Sequence, residues 1–341
     1  MKESKLAEPP TDCVSSLVFH PNNREILLST SWDGSVRLYN VGAGNSDEQD
    51  QRQLVNSHNK HKGAAVLAGC FNQGVYLTFL VILFRWEIGM NAYELGHHEK
   101  PISCLDFNSS HRVVVSGSWD TTVRLWDRLA PNTQNAIAVL QQPERVYSIS
   151  TQGDILVCAL ADRHFSVYDL RNIGHAVSHH ITGGDEYLVE RKRSMLKYPT
   201  RRVKLYPDNR GYVYGSIEGR VATEYFPTGE NNYQNYAFKC HRQKADSSQT
   251  PGEQIDIVYP INALAFHPLY QTFLTGGSDG YVCLWDGTLR KRMKRYGPYP
   301  NGVNCLAFNL DGSLMAVGAS YSFDQGEKQY RIPYIIYFIQ F

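Results

Sequence analysis

The chain has 341 residues, of which 42% are hydrophobic and 12% aromatic, and its formal net charge is +1. The hydrophobic content is ample for a core, and the aromatic enrichment favours strands over helices. The near-neutral balance argues against a general nucleic-acid binder.

A repeated pattern begins near the N-terminus. Ser29–Tyr39, Ser116–Trp126, Ala159–Tyr168 and Thr275–Trp285 each read as a strand, a tight turn with Asp, and a strand that ends in an aromatic residue; Gly215–Ala222 has Glu at the Asp position. The acids at positions 33, 120, 162, 218 and 279 are 87, 42, 56 and 61 residues apart. One hidden unit in the first gap, and loops near 176–195 and 243–256 in the later ones, give a period of about 42 residues.

A period of that length, with Trp-Asp at Trp126–Asp127 and Trp285–Asp286, indicates WD40 blades. Inner strands are expected to begin near positions 14, 61, 102, 145, 201, 261 and 303. The sequence therefore predicts an all-β, seven-bladed WD40 β-propeller that occupies residues 1–341 as one domain. Residues 1–13 should supply the outer strand of the last blade, so that no sheet edge stays free.

Blade two, about residues 61–96, is atypical because it lacks the turn acid. It contains the longest apolar run, Val75–Phe84. A membrane-spanning helix needs about twice that length, so the run is predicted to be a buried strand and no membrane association is expected.

The turn acid has a structural explanation. In blade three, Asp120 could bond His98 on the preceding loop and a hydroxyl of Ser116 or Ser118, with Trp126 completing the network. We therefore interpret Asp120 and His98 as architectural groups.

Signatures of catalysis are weak. Gly276–Gly280 matches G-x-S-x-G, but that motif needs a strand-to-helix turn and here it lies between two strands. The seven cysteines stand singly, and neither the pair His58 and His61 nor Cys240 beside His241 has further ligands at zinc spacing. We expect buried thiols, no catalytic residues, no cofactor and no metal.

One rim of the propeller carries candidate binding residues. The position just before the turn acid is Trp32 in blade one and Trp119 in blade three, where blades four, five and six have Ala161, Ile217 and Ser278. Since the fold does not demand Trp there, two exposed Trp side chains suggest binding hot spots. Coverage by neighbouring loops is the alternative.

A basic cluster accompanies blade five. Its members enter the blade, follow its turn or leave it, and are Lys197, Arg201, Arg202, Arg220, Lys239 and Arg242. The planar guanidinium group suits carboxylate or phosphate oxygens. The cluster predicts an acidic or phosphorylated peptide ligand with apolar anchors, unless it is simply a solvated charged rim.

At these residues the chain resembles the Bub family of mitotic-checkpoint WD40 proteins. The matching stretches cover most of the chain and are Pro9–Asp12, Ser31–Tyr39, Gly117–Asp120, Pro143–Tyr147, Tyr168–Asn172, Leu196–Tyr198, Ser216–Ala222 and Tyr236–Arg242. Residues 74–95 and the apolar tail Pro333–Phe341 depart from the family pattern. The tail could form the closing strand of the last blade.

The resemblance implies a non-enzymatic adaptor of the spindle assembly checkpoint. Such proteins bind a short acidic motif of checkpoint kinases on the top face and recruit the kinases to phosphorylated repeats of a kinetochore scaffold. Carried over, the contacts would come from Trp32, Trp119, Arg201, Arg220 and Lys239, with Arg242 beside them. A monomeric propeller in hetero-complexes is expected, in the nucleus, at kinetochores in mitosis, and also in the cytoplasm.

Two alternatives stay open. One is a related nuclear-pore mRNA-export propeller, which shares Ser216–Ala222 and Phe238–Arg242, whereas Pro143–Tyr147 and Tyr168–Asn172 favour the checkpoint family. The other is RNA binding by the basic rim, which would depend strongly on salt.

Overall fold

The computed structural model describes residues 3–6, 8–42, 53–58, 64–71, 75–79, 81–86, 92–127, 136–171, 181–183, 187–227, 233–245, 255–322, 326 and 334–341. These residues form strands and turns without an α-helix. Accordingly, none of the described segments could cross a membrane as a helix.

Most strands belong to antiparallel sheets that each have an innermost, a second, a third and an outermost strand. The innermost strands are β2 (Val14–His20), β6 (Val66–Phe71), β10 (Ile102–Asn108), β14 (Val146–Gln152), β19 (Thr200–Leu205), β25 (Ile261–Phe266) and β29 (Val303–Phe308). The second strands are β3 (Asn23–Ser31), β7 (Val75–Phe79), β11 (Val113–Ser118), β15 (Ile155–Leu160), β20 (Gly211–Ser216), β26 (Thr272–Gly277) and β30 (Leu314–Ala319).

The third strands are β4 (Val36–Asn40), β8 (Ile82–Trp86), β12 (Thr122–Asp127), β16 (His164–Asp169), β21 (Arg220–Tyr225), β27 (Val282–Asp286) and β31 (Ile335–Gln340). The outermost strands are β5 (Gln53–His58), β9 (Tyr93–His97), β13 (Ala138–Gln141), β18 (Leu188–Arg193), β22 (Tyr236–Lys239), β28 (Lys291–Tyr296) and β1 (Glu3–Lys5). Six of these sheets have four strands. The sheet of β10 gains a fifth, because β17 (Ile181–Gly183) pairs in parallel with β13.

The sheets are arranged around a central channel. Each innermost strand contacts the innermost strands of its two neighbours, and the series closes where β29 meets β2. The hydrophobic core is correspondingly divided, since each apolar cluster joins residues of two adjacent sheets. The predicted all-β WD40 propeller is therefore confirmed.

Glycines allow adjacent sheets to approach closely. A Cβ on Gly215 in β20 would lie 2.6 Å from Cγ2 of Ile261, the first residue of the next innermost strand. Gly117 stands in the same relation to Val146, at 2.7 Å. Because real Cβ contacts are longer than this, a side chain at these positions would push two sheets apart.

The two ends of the chain close the ring. β1 pairs antiparallel with β31, with Glu3 opposite Ile339 and Lys5 opposite Tyr337. The N-terminal strand is thus the outermost strand of the last sheet, as predicted, and the apolar tail is the strand beside it. Leu6 continues into the core between the last and first sheets.

Blade two differs from its prediction. The run Val75–Phe84 is not one strand, because β7 and β8 pair with each other from Val75 opposite Trp86 to Phe79 opposite Ile82. Its innermost strand begins at Val66 rather than near 61. Residues 61–63, 72–74, 80 and 87–91 lie outside the described part.

The predicted loops near 176–195 and 243–256 also contain strands. β18 completes the sheet of β14, although its residues are mostly charged. β23 (Arg242–Lys244) and β24 (Asp256–Val258) form a separate two-stranded ribbon between two sheets. These strands are exposed and carry little apolar alternation, which is why the sequence pattern did not reveal them.

Candidate functional site

The candidate rim lies at the end of the propeller where the innermost strands begin, which we call the top face. The residue before each turn acid donates its backbone N–H to the residue before an innermost strand. Trp32 bonds the carbonyl of Cys13 at 3.0 Å, and Trp119 bonds that of Pro101 at 3.0 Å. This backbone contact, rather than any side chain, fixes the position, so the fold leaves the side chain free to vary.

Large apolar side chains at this position are exposed. Trp32 is 52% exposed and Trp119 is 41% exposed. Ile217, whose N–H bonds the carbonyl of Pro199, is 39% exposed. Burial of Trp by neighbouring loops, the alternative considered from sequence, is therefore wrong for the described structure.

Two basic residues of blade five face each other on this rim. Arg220 begins β21 and is directly opposite Lys239 on β22. The guanidinium of Arg220 lies 3.6 Å from the Glu218 carboxylate, and its side chain is about one-third exposed. Like charges opposite each other on neighbouring strands repel, so the pair favours a negatively charged partner.

Arg242 is engaged differently. Its Nη2 donates to the carbonyl of Glu218 at 2.9 Å, and its Nη1 lies 3.8 Å from the Asp256 carboxylate. These contacts tie the β23–β24 ribbon to the turn of blade five. Part of its hydrogen-bonding capacity is thus used within the molecule.

The adjacent residues Arg201 and Arg202 separate. The β19–β20 register slips between Thr200 and Arg202, so Arg201 is the bulged residue near the start of this innermost strand. Arg202 lines the channel itself, where its Nε donates to the carbonyl of Asn262 at 2.8 Å. Grouping Arg202 with the rim was therefore wrong, because the bulge turns it inward.

The network around Asp120 is confirmed. In blade three, Nε1 of Trp126 donates to Oγ of Ser116 at 2.8 Å, and that hydroxyl lies 2.7 Å from Nε2 of His98. Nδ1 of His98 lies 2.8 Å from the Asp120 carboxylate. Ser118, the other candidate, instead donates to the carbonyls of Lys100 and Pro101.

The lowered pKa of His98 favours a neutral imidazole in this network. Burial lowers the pKa of His98, although the hydrogen bond to Asp120 opposes this. Burial alone would raise the pKa of Asp120, but hydrogen bonds from His98 and Thr122 outweigh it and hold the pKa well below its usual value. The arrangement is buried, with both side chains almost inaccessible, and so it stabilises the blade rather than meeting a ligand.

Blade six contains a second network that the sequence analysis missed. Nδ1 of His241 lies 2.8 Å from Asp279, its Nε2 lies 2.7 Å from Oγ1 of Thr275, and Trp285 donates to the same hydroxyl at 3.0 Å. The Trp and the hydroxyl residue have the same spacing as in blade three, with Thr275 in the place of Ser116. The sequence pattern singled out His241 only as a neighbour of Cys240.

The other chemical candidates occupy ordinary structural positions. Ser278 lies in the turn between β26 and β27, where Nδ2 of Asn262 donates to its hydroxyl at 2.9 Å. All seven cysteines are buried thiols, as expected. The described residues offer no group of three or more His, Cys, Asp or Glu side chains able to hold a metal ion.

Further exposed apolar groups stand near blade five. Met195 and Tyr198 precede β19 and are about half exposed, and Ile217 lies on the turn beside them. The sequence offered a weak signal, since large apolar residues flank the basic ones in this stretch. Their exposure could not be read from sequence, because strand-forming apolar residues are usually buried.

The chain is similar to known WD-repeat proteins. The WD domain, G-beta repeat model matches residues 4–40, 89–127 and 257–286. The chain is 40% identical to the mitotic checkpoint protein BUB3.1 of Arabidopsis thaliana over 95% of its own length and 88% of the relative. It is 32% identical to the spindle assembly checkpoint protein bub3 of Schizosaccharomyces pombe, over 90% and 88% of the two chains.

The poly(A)+ RNA export protein of Schizosaccharomyces pombe is also similar, at 31% identity over 95% of this chain and 86% of the relative. The mitotic checkpoint protein bub3 of Dictyostelium discoideum is 33% identical over 96% and 91%. These likenesses extend over nearly all of the strands described above. The chain therefore belongs to the Bub3 family of mitotic checkpoint WD40-repeat proteins.

Proposed function

We propose that this protein is a non-enzymatic adaptor of the spindle assembly checkpoint that binds short acidic or phosphorylated peptide motifs on its top face. The observation that carries the proposal is the shared placement of exposed Trp32 and Trp119 with the basic pair Arg220 and Lys239 at one end of the propeller. Through such motifs it would recruit checkpoint kinases to phosphorylated kinetochore scaffold repeats. The protein would be located in the nucleus, at kinetochores during mitosis, and also in the cytoplasm.

The apolar half of the site supports a peptide ligand. Trp32 and Trp119 expose a large part of two rigid side chains, and the backbone contacts that hold them do not require Trp. Burying a Trp at the centre of an interface typically contributes about 2–4 kcal/mol to binding. Isolated exposed apolar residues are common, but two Trp at equivalent positions of one face are better explained by a partner.

The basic half supports an acidic ligand. Lys239 is exposed and has no ion pair within the described residues, while Arg220 has only the 3.6 Å contact with Glu218 there. A carboxylate or phosphate placed between Arg220 and Lys239 would relieve their repulsion. Arg201, the bulged residue of β19 in the same blade, and Arg242, beside its turn, would extend the positive surface.

We also propose that the propeller has seven blades. Support comes from the five-stranded sheet, whose first four strands repeat the antiparallel pattern of the six four-stranded sheets. Its additional strand β17 is parallel and comes from the segment between β16 and β18. In the closed ring of contacts between innermost strands, β10 of this sheet contacts β6 and β14 of the two neighbouring sheets.

The absence of catalysis is part of the proposal. The position of Ser278 in a turn between two strands does not provide the strand-to-helix geometry of a nucleophile elbow. A serine-reactive fluorophosphonate probe should therefore leave Ser278 unlabelled. Labelling that depends on the folded state would refute this part.

The test of the binding site is titration of a short peptide with adjacent glutamates flanked by apolar residues. Trp32→Ala and Trp119→Ala should each weaken binding by about 30-fold to 1000-fold, corresponding to about 2–4 kcal/mol. Arg220→Ala should weaken it comparably if its partner is desolvated, and Arg220→Lys should also weaken it because Lys cannot make the two-pronged contact.

Matched controls come from the opposite end of the propeller. Leu269→Ala removes an exposed apolar side chain, and Arg24→Ala removes an exposed arginine that pairs with Asp311. Neither should change binding of the peptide. If the top-face variants melt normally and bind as the wild type does, the assignment of the rim is wrong.

A second candidate function rests on the similarity to the poly(A)+ RNA export protein. Both candidates use a peptide-binding propeller, so the peptide titration alone does not separate them. Proteins captured from mitotic and interphase extracts should differ instead: checkpoint kinases in the first case, nuclear-pore components in the second. Strong, salt-dependent binding of RNA by the isolated propeller would favour the third possibility, a basic-rim RNA binder.

A further inference from the structure

One position recurs around the central channel. In every innermost strand the register slips after the first residue, and the residue that follows the slip lines the channel. The residues at this position are Ser16, Ala68, Cys104, Ser148, Arg202, Ala263 and Cys305. Six of them are small, whereas Arg202 is large and charged.

Arg202 is one of the residues that line the channel cavity. The channel cavity has a volume of about 590 Å³. Arg202 is partly buried, and among the described residues only its Nε donates a hydrogen bond, to the carbonyl of Asn262. No hydrogen bond joins its two Nη groups to another described residue. They therefore have donors available to the cavity.

The charges in the channel do not balance. Its lining contains three charged side chains: Asp106, Arg202 and Lys204. Lys204 lies 3.7 Å from the Asp106 carboxylate, and that carboxylate also accepts the backbone N–H of Thr151. Among the described residues, no carboxylate lies within ion-pair distance of Arg202, and burial and the nearby Arg201 both lower its pKa.

A partly buried cation without a counter-charge is costly, and an anion beside it recovers much of that cost. A guanidinium binds oxyanions through two parallel N–H···O contacts, and phosphate offers several oxygens for them. The cavity is many times larger than a water molecule, which occupies about 30 Å³, so a phosphate group has ample room.

We propose that the central channel is a binding site for a small phosphate-bearing anion, held by the Nη groups of Arg202. The site lies in the channel and not on the rim, and only its second source, a phosphorylated side chain, rests on the proposed function. The phosphate is either free in solution or part of a phosphorylated side chain that enters the channel from the top face.

The experiment compares the wild type with Arg202→Ser. Serine is chosen because it occupies the equivalent position in two other innermost strands, as Ser16 and Ser148. Thermal melting and calorimetric titration are carried out with pyrophosphate, with sodium chloride at equal ionic strength as the reference. Pyrophosphate should stabilise the wild type, since a ligand that binds only the folded state raises the melting temperature. Arg202→Ser should lose at least about tenfold in affinity, typical of a charged hydrogen-bonded contact.

Two controls make the result specific. Arg220→Ala, which alters the rim, should keep the response to pyrophosphate. Arg202→Ser should still bind the unphosphorylated acidic peptide like the wild type, so failure of the rim and failure of the channel site are distinguishable. A phosphorylated peptide that loses affinity in Arg202→Ser, while pyrophosphate gives no response, would identify the phosphorylated side chain as the source.

The proposal would be overturned if neither pyrophosphate nor the phosphorylated peptide distinguishes wild type from Arg202→Ser. It would also be overturned if Arg202→Ser and Arg202→Gln both melt well below the wild type in phosphate-free buffer, because Arg202 would then be a structural residue. The expected result in that buffer is equal or higher stability of Arg202→Ser.

Discussion

Replacing the turn acid should have very different effects in two blades, although the residue and its turn are the same. Asp120 in blade three accepts four hydrogen bonds, from His98 at 2.8 Å, from the backbone of Glu99 at 3.1 Å, and from the backbone and hydroxyl of Thr122 at 2.9 and 2.6 Å. Among the described residues, Asp162 in blade four bonds only His164, within its own turn.

The expected magnitudes follow from burial. The side chain of Asp120 is 3% exposed and that of Asp162 is 36% exposed. Removing one partner of a buried hydrogen-bonded network costs about 3–5 kcal/mol, since the other groups stay desolvated. Asp120→Ala should therefore lower the free energy of unfolding by about 3–5 kcal/mol. Asp162→Ala should lower it by about 1 kcal/mol or less, because water can replace the lost contacts.

Urea unfolding followed by tryptophan fluorescence measures both variants. A double-mutant cycle of His98→Ala with Asp120→Ala should give a coupling of about 1–3 kcal/mol, as for residues of one network. Equal losses for Asp120→Ala and Asp162→Ala would refute the reasoning. In that case the acid would act through the turn alone and the buried network would contribute nothing.

Three further predictions concern stability. Burial holds the pKa of His98 below 6.5, and hydrogen bonds from His98 and Thr122 outweigh burial and hold the pKa of Asp120 below its usual value. The unfolded state therefore binds more protons as the pH falls, so the free energy of unfolding should decrease below pH 6.5. His98→Gln should weaken the pH dependence of the urea midpoint between pH 6.5 and 5. Gly215→Ala should cost about 1–3 kcal/mol by pressing on Ile261, and normal melting would show that the sheets can separate without cost. Deleting Glu3–Leu6 should lower the melting temperature and promote aggregation detectable by light scattering, because β31 becomes a free edge; a monodisperse, equally stable product would contradict this.

Much of the fold could be predicted because blade signals are local. A turn acid at a fixed distance from an aromatic residue, as in Asp120 and Trp126, reflects contacts made within one sheet. The same locality revealed the equivalence of Trp32 and Trp119. This signal is weak where a strand lacks apolar alternation, so the prediction of a loop is wrong for the charged strand β18.

The sequence by itself determined that the chain forms WD40 blades and that the His98 network is structural. Only the tertiary structure decided that Trp32 and Trp119 are exposed and that Ser116 rather than Ser118 completes the network. It also decided that Arg202 lies in the channel and not on the rim. The physical reason is that exposure and direction depend on neighbouring sheets and on single-residue bulges. A bulge reverses which side a residue faces without leaving a mark in the sequence pattern.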